Sequence, residues 1–191
     1  MTHVTVVGTG AMGQAIAGLV TQGGHALEVI AETDTTKPIT GKIVVLAVPY
    51  TALAHIVAAR GAELADKIVV DITNPVNFET FDSLVVPADG SAAAELATLL
   101  PSSTVLKAFN TTFAGTLAAG TVGDLTTTVQ IAGDDSDAKA LLADVITAAG
   151  LRAIDAGSLK RARELEAFGF LQITLAAAKK VSWVGGFGVA A

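Results

Sequence analysis

The run Val4-Thr5-Val6-Val7-Gly8-Thr9-Gly10-Ala11-Met12-Gly13 sets three glycines in G-x-G-x-x-G spacing between a β-branched stretch and an alanine-rich one. A strand that turns at once into a helix needs each of them. Gly8 permits the tight turn, Gly10 leaves no Cβ where the backbone meets a pyrophosphate, and Gly13 lets the helix pack closely on the sheet. The helix then presents unpaired N–H groups and a positive dipole end to the phosphates. No Lys-Ser/Thr pair follows the glycines, which excludes a nucleoside-triphosphate P-loop. A glycine-rich turn can also join strand to helix with no ligand. Here the flanking context and an acid, Glu32, 19 residues after Gly13 favour dinucleotide binding.

Downstream, β-branched runs alternate with alanine- and leucine-rich ones, which is the α/β pattern. Strands are expected at His3–Val7, Leu27–Ala31, Lys42–Val48, Lys67–Ile72, Thr104–Phe109, Thr127–Ala132 and Leu151–Asp155. Helices are expected over Gly10–Thr21, Thr51–Leu64 and Ser91–Leu100, and after a cap at Asp135 or Ser136 up to Gly150. Glu32–Gly41 is too short for a crossover helix, and Thr111–Leu125 is ambiguous because three glycines interrupt it. Ser158 is expected to cap a last helix reaching about Lys179, with Leu165, Phe168, Leu171 and Leu175 as its apolar stripe. The expected fold is a Rossmann-type, doubly wound, mostly parallel α/β sheet with a small C-terminal helical lobe. Residues 1–157 would form the dinucleotide-binding domain, and residues 158–191 a helix and tail packed on it as one unit. Ligands of such sheets sit beyond the carboxyl ends of the strands. The long loop Thr73–Gly90 is a further functional candidate.

Composition narrows the partners. Hydrophobic residues make up 51% of the chain and charged ones 16%, as suits strands covered on both faces. The apolar run Ile43–Ala59 approaches a bilayer span, but Pro49 and Tyr50 split it into strand, loop and helix. No signal peptide is apparent. A net charge of −6 argues against nucleic acid and anionic membranes as partners. The chain has no cysteine, which fits a cytoplasmic protein, and none of its three histidines has metal-ligand spacing. His3, His25 and His55 are read as structural, although His25 could lie near a ligand loop. Asp71 is expected to bond backbone N–H groups, and no general acid or base stands out. Lys160-Arg161-Ala162-Arg163 is either a solvated helix face or an anion site.

Several stretches resemble one family. Gly8–Gly13, Leu46-Ala47-Val48-Pro49, Asp71-Ile72-Thr73-Asn74-Pro75, Leu106-Lys107-Ala108-Phe109-Asn110-Thr111 and Asp155-Ala156-Gly157-Ser158-Leu159 are similar to the NADP oxidoreductases of coenzyme F420, a deazaflavin. They are also similar to the oxidoreductase domains of six-transmembrane ferric reductases, and Lys160–Glu166 resembles small bacterial dinucleotide-binding oxidoreductases. The resemblance implies that Gly8, Thr9, Gly10, Ala11 and Met12 hold the pyrophosphate. Ala47, Val48 and Pro49 would line the adenine and ribose. Asn74, Pro75, Asn110 and Thr111 would surround the nicotinamide, with an exchangeable flavin or deazaflavin (F420) stacked on it. A homodimer is also implied. The activity expected is hydride transfer between NADP or NAD and that second ring. The alternatives are a dehydrogenase of a small hydroxy acid or imine, which usually carries a larger helical domain, and a non-catalytic dinucleotide sensor.

The family commonly binds the 2′-phosphate of NADP with small and basic residues after the second strand. This chain has Ala31, Glu32 and Thr33 there. Glu32 either accepts hydrogen bonds from the ribose 2′-OH, favouring NAD, or is a solvated loop acid. If it faces the ribose, Glu32→Ser shifts preference toward NADP by at least about tenfold, after solvent screening of the carboxylate–phosphate repulsion. Dissociation constants for both cofactors at one salt concentration check this. Unchanged constants would make Glu32 a loop acid.

Overall fold

The computed structural model describes residues 1–31, 33–34 and 36–190. Its centre is built from strands with no polar face. β1 (His3–Val7), β3 (Ile43–Leu46), β4 (Ile68–Asp71) and β5 (Thr104–Lys107) lie side by side and parallel, with β2 (Ala26–Ile30) outside β1. Alternate side chains enter opposite layers, as the pleat requires. Val4, Val6, Ile43, Val45 and Val70 pack with α1 (Ala11–Gln22) and α5 (Ser136–Ala148). Val7, Val44, Leu46 and Val69 pack with α2 (Leu53–Leu64) and α3 (Ala92–Leu99). Burying each Val or Leu contributes roughly 1.5–3 kcal/mol, so a sheet covered twice explains the apolar composition.

β8 (Thr128–Ala132) runs antiparallel to β5 and pairs in parallel with β9 (Arg152–Gly157), completing the order β2-β1-β3-β4-β5-β8-β9. The Rossmann-type, mostly parallel sheet expected from the sequence is what forms. No helix lies between β2 and β3 among the described residues, as the short polar segment implied. The ambiguous stretch holds a six-residue α4 (Ala114–Ala119), closed by Gly120 at φ 74°, and a hairpin of β6 (Thr121–Val122) and β7 (Leu125–Thr126). Caps follow the sequence at two helices: Ser91 accepts from the Ala94 N–H and Asp135 from the Ala138 N–H.

The last helix departs from expectation. Ser158 makes no side-chain cap; a 3-10 turn over Leu159–Arg161 leads into α6 (Ala162–Ala177). Its buried positions are Ala162, Glu166, Gly169, Gln172 and Ala176, whereas Leu171 of the expected stripe is 49% exposed. Glu166 faces inward because Lys107 Nζ and the Ala92 and Ala93 N–H groups lie there. Phe168 is covered by the tail, its ring centroid 5.3 Å from that of Phe187. No helix of the described residues is long and apolar enough to cross a membrane.

Candidate functional site

The three glycines are not equivalent. Gly8 sits at φ 115°, and a Cβ there would lie 2.1 Å from the Ala47 carbonyl oxygen. A Cβ at Gly13 would lie 2.2 Å from the Gly8 carbonyl oxygen. Both are required by the fold itself. A Cβ at Gly10 meets nothing within 4 Å, and Gly10 caps α1 without a side-chain hydrogen bond. An open space therefore faces the start of α1, where an N-terminus favours anions.

That space is one end of a cavity of about 930 Å³. Gly10, Ala11 and Met12 line this end, and Ala47, Val48 and Pro49, just after β3, line its side. Ile72, Thr73 and Asn74, just after β4, also line it. Opposite them stand Val76, Phe78 and Val85 of the long loop and Ile173 of α6. The cavity thus lies at the carboxyl edge of the parallel strands, where such sheets bind ligands.

Seven of the sequence-identified residues therefore meet at one cavity. Gly8 is beneath the turn, its N–H donating to the Ile30 carbonyl, while Thr9 is exposed. Ala31 follows β2, its N–H donating to the Asp34 carboxylate at 3.0 Å, and Thr33 is exposed on the same turn. Glu32 lies outside the described residues. Pro75 is buried, and its carbonyl accepts from the Val85 N–H, which braces the loop.

Asn110 and Thr111 do not line the cavity. Asn74 and Asn110 are bonded twice: Asn74 Nδ2 donates to the Asn110 backbone carbonyl at 2.8 Å, and Asn110 Nδ2 to Asn74 Oδ1 at 2.9 Å. Asn110 Nδ2 also donates to the Leu165 carbonyl of α6. Thr111 bonds Gln130. The asparagine pair is therefore a joint between two loops and the last helix. Gly169 makes it possible, since a Cβ there would stand 2.2 Å from Asn74 Oδ1. Gly169→Ala is expected to push α6 from the joint and destabilise the fold by about 1–3 kcal/mol, the usual cost of overpacking. A denaturant titration checks this; an unchanged midpoint contradicts it.

Sequence reading missed the groups under the floor. Lys107 at the end of β5 is fully buried with Asp71 and Glu166, its Nζ 2.8 Å from a carboxylate oxygen of each. The third donor goes to the Thr73 carbonyl, and Asp71 Oδ1 accepts the Thr73 N–H. Glu166 also accepts from the Ala92 and Ala93 N–H groups and so closes the start of α3. Asp71 does bond a backbone N–H as expected, but it is half of an ion pair as well. Burial pushes the Glu166 carboxyl above its usual range, while Lys107 opposes that shift. Lys107 belongs to the Leu106–Thr111 stretch, but nothing in the charged run Lys160–Glu166 marks Glu166 as the buried member.

Polar chemistry inside the cavity is sparse. Tyr50 lines it, and its hydroxyl donates to Glu95 at 2.7 Å; that hydrogen bond, together with burial, pushes its pKa up to about 12. No histidine, lysine or arginine lines the cavity among the described residues. His25 stands just before β2, at the opposite edge of the sheet, accepting from the Thr2 N–H. Lys160, Arg161 and Arg163 line a separate recess of about 430 Å³ together with Asp89, Asp134 and Glu164.

No family model matches the chain. It is 41% identical over 105 residues to Metalloreductase STEAP3 of Rattus norvegicus, across 55% of this chain and 20% of that protein. It is 32% identical over 143 residues to the F420-dependent NADP reductase of Methanocaldococcus jannaschii, across 71% of this chain and 62% of that one. The chain thus spans less than two thirds of either relative's length. A crystal structure of a candidate F420-dependent NADP reductase from Arthrobacter sp. FB24 superposes with a TM-score of 0.83 at 24% identity, covering 100% of both chains. The resemblance read from the motifs is therefore present in both sequence and fold.

Proposed function

We propose that this chain is an oxidoreductase that binds a nicotinamide dinucleotide and passes hydride between it and an exchangeable flavin or deazaflavin. The observation that carries this reading is the unbroken cavity from the Gly10 turn to the apolar loop wall, with free space where a Cβ of residue 10 would stand. The names of the two relatives, an F420-dependent NADP reductase and a metalloreductase, support it. When bound, the dinucleotide supplies the two-electron hydride chemistry.

The chain supplies binding, alignment and exclusion of water. N–H groups of the first turn of α1, from Ala11 to Gly13, would hold the pyrophosphate without a competing side-chain cap. Ala47, Val48 and Pro49 would wall the adenosine half. Ile72, Thr73 and Asn74 would form the floor under the reacting ring, with the Thr73 backbone held on both sides by Asp71 and Lys107. Val76, Phe78, Val85 and Ile173 would keep water from the second ring. Tyr50 stays protonated and engaged, and among the described residues no other acid lines the cavity except Glu79 on the exposed loop. That scarcity favours direct transfer between stacked rings, where positioning supplies most of the rate. It disfavours reduction of a hydroxy-acid or imine partner, which draws on a lysine or histidine acid.

The purified protein is expected to leave gel filtration colourless, since one dinucleotide fingerprint gives no second site for a resident flavin. Stoichiometric flavin retained on the column contradicts this. The function itself is tested by anaerobic oxidation of NADPH and NADH with F420, riboflavin, FMN, FAD and ferric chelates. Binding without turnover on any acceptor would make the chain a dinucleotide sensor.

A further inference from the structure

We infer that the acceptor taken by this cavity is an uncharged isoalloxazine of the riboflavin type, and that acceptors with an anionic group on the ribityl side chain, FMN and F420 included, are disfavoured. The inference rests on the function proposed above and specifies its second substrate. Its basis is the charge of the wall. The acceptor half of the cavity is formed by Val76, Asn77, Phe78, Val85 and Ile173, and among the described residues the one charged side chain lining any part of it is Glu79. Phe78 and Val85 are 62% and 52% exposed, large apolar surfaces at the rim of a concave site. Phe78 is held edge-to-face by Phe81, with ring centroids 5.6 Å apart, which gives a planar ring a fixed aromatic neighbour.

Among the described residues that line the cavity, a phosphate on the acceptor would find no basic side chain. The N–H groups at the start of α1 would already be committed to the dinucleotide. The next N-terminus, that of α3, is closed by Ser91 and by the Glu166 carboxylate, which adds negative charge there. The basic cluster Lys160, Arg161 and Arg163 belongs to the other recess, which shares no lining residue with this cavity and contains three carboxylates of its own. Lys107 is wholly buried beneath the floor with its three donors spent. An anionic acceptor would meet the Glu79 carboxylate as a like charge, which lowers affinity for the wrong partner.

The reaction then balances simply. Hydride leaves the reduced nicotinamide for the central ring of oxidised riboflavin, one proton comes from solvent, and the products are the oxidised dinucleotide and dihydroriboflavin.

The test is a fluorescence titration of riboflavin and of FMN against the full chain with NADP⁺ present, alongside anaerobic NADPH oxidation with each. Riboflavin is expected to bind at least about fivefold more tightly at low salt, and the gap is expected to narrow at high ionic strength as the charge is screened. Glu79→Lys is expected to narrow or reverse the ratio. FMN binding as well as riboflavin or better, in a chain that oxidises NADPH with either, overturns the inference and leaves the proposed function standing. Failure of both flavins to bind, with no NADPH oxidation by any acceptor, overturns the function and the inference with it.

Discussion

Gly10→Val is expected to weaken dinucleotide binding at least about a hundredfold, or roughly 2.7 kcal/mol, while the protein stays folded. The two halves of this expectation have separate causes. A Cβ at residue 10 enters free space, and its backbone, at φ −66°, suits any L-residue. The structural cost is limited to a poorer N-cap, at most about 1 kcal/mol. The added methyl groups would nevertheless occupy the path of the pyrophosphate and hold it from the N–H groups of α1. Gly13→Ala is the contrasting control, because its Cβ would fall 2.2 Å from the Gly8 carbonyl and no rotamer can move a backbone atom away. Calorimetry with circular dichroism checks both. Unchanged affinity in Gly10→Val would remove the phosphates from this turn.

Lys107→Met is expected to cost about 3–5 kcal/mol of stability, because it leaves Asp71 and Glu166 buried without their cation. Against a total of roughly 5–15 kcal/mol, that brings the fold near its limit and lowers the melting temperature by roughly 10 °C or more. Glu166→Gln should cost less, since an amide oxygen can still accept from the Ala92 N–H. The cavity should suffer as well, because Thr73 loses the donor that holds its carbonyl. Urea unfolding of both variants measures the difference. A loss under about 1 kcal/mol for Lys107→Met would mean that the cluster holds little together.

The parallel core was legible because every strand in it is buried on both faces. Ile43–Leu46 and Ile68–Val70 read as unbroken β-branched or aliphatic runs, and the glycine motif placed the first turn to the residue. The phosphate end of the cavity followed from that motif. The loop Thr73–Gly90 stood out by its length, but Phe78 and Val85 within it did not, because the loop has no periodicity, and Ile173 comes from a helix distant in sequence. The hairpin of β6 and β7 was hidden by Gly120 and Gly123, whose positive φ values make the turns and also erase any repeat. The face of α6 was misjudged because hydrophobicity alone selected it. Glu166 is buried on account of Lys107 and the α3 N–H groups, partners that no local pattern discloses.

The central claim is direct hydride transfer at a cavity that begins at Gly10. It is tested most directly by mixing NADPH, deuterated at the transferring position, with the protein and an oxidised flavin under anaerobic conditions. The account predicts protein-dependent loss of the reduced-nicotinamide absorbance, a primary isotope effect in single turnover, and loss of both in Gly10→Val. Dinucleotide that binds tightly but is never oxidised, or oxidation that persists undiminished in Gly10→Val, would contradict it.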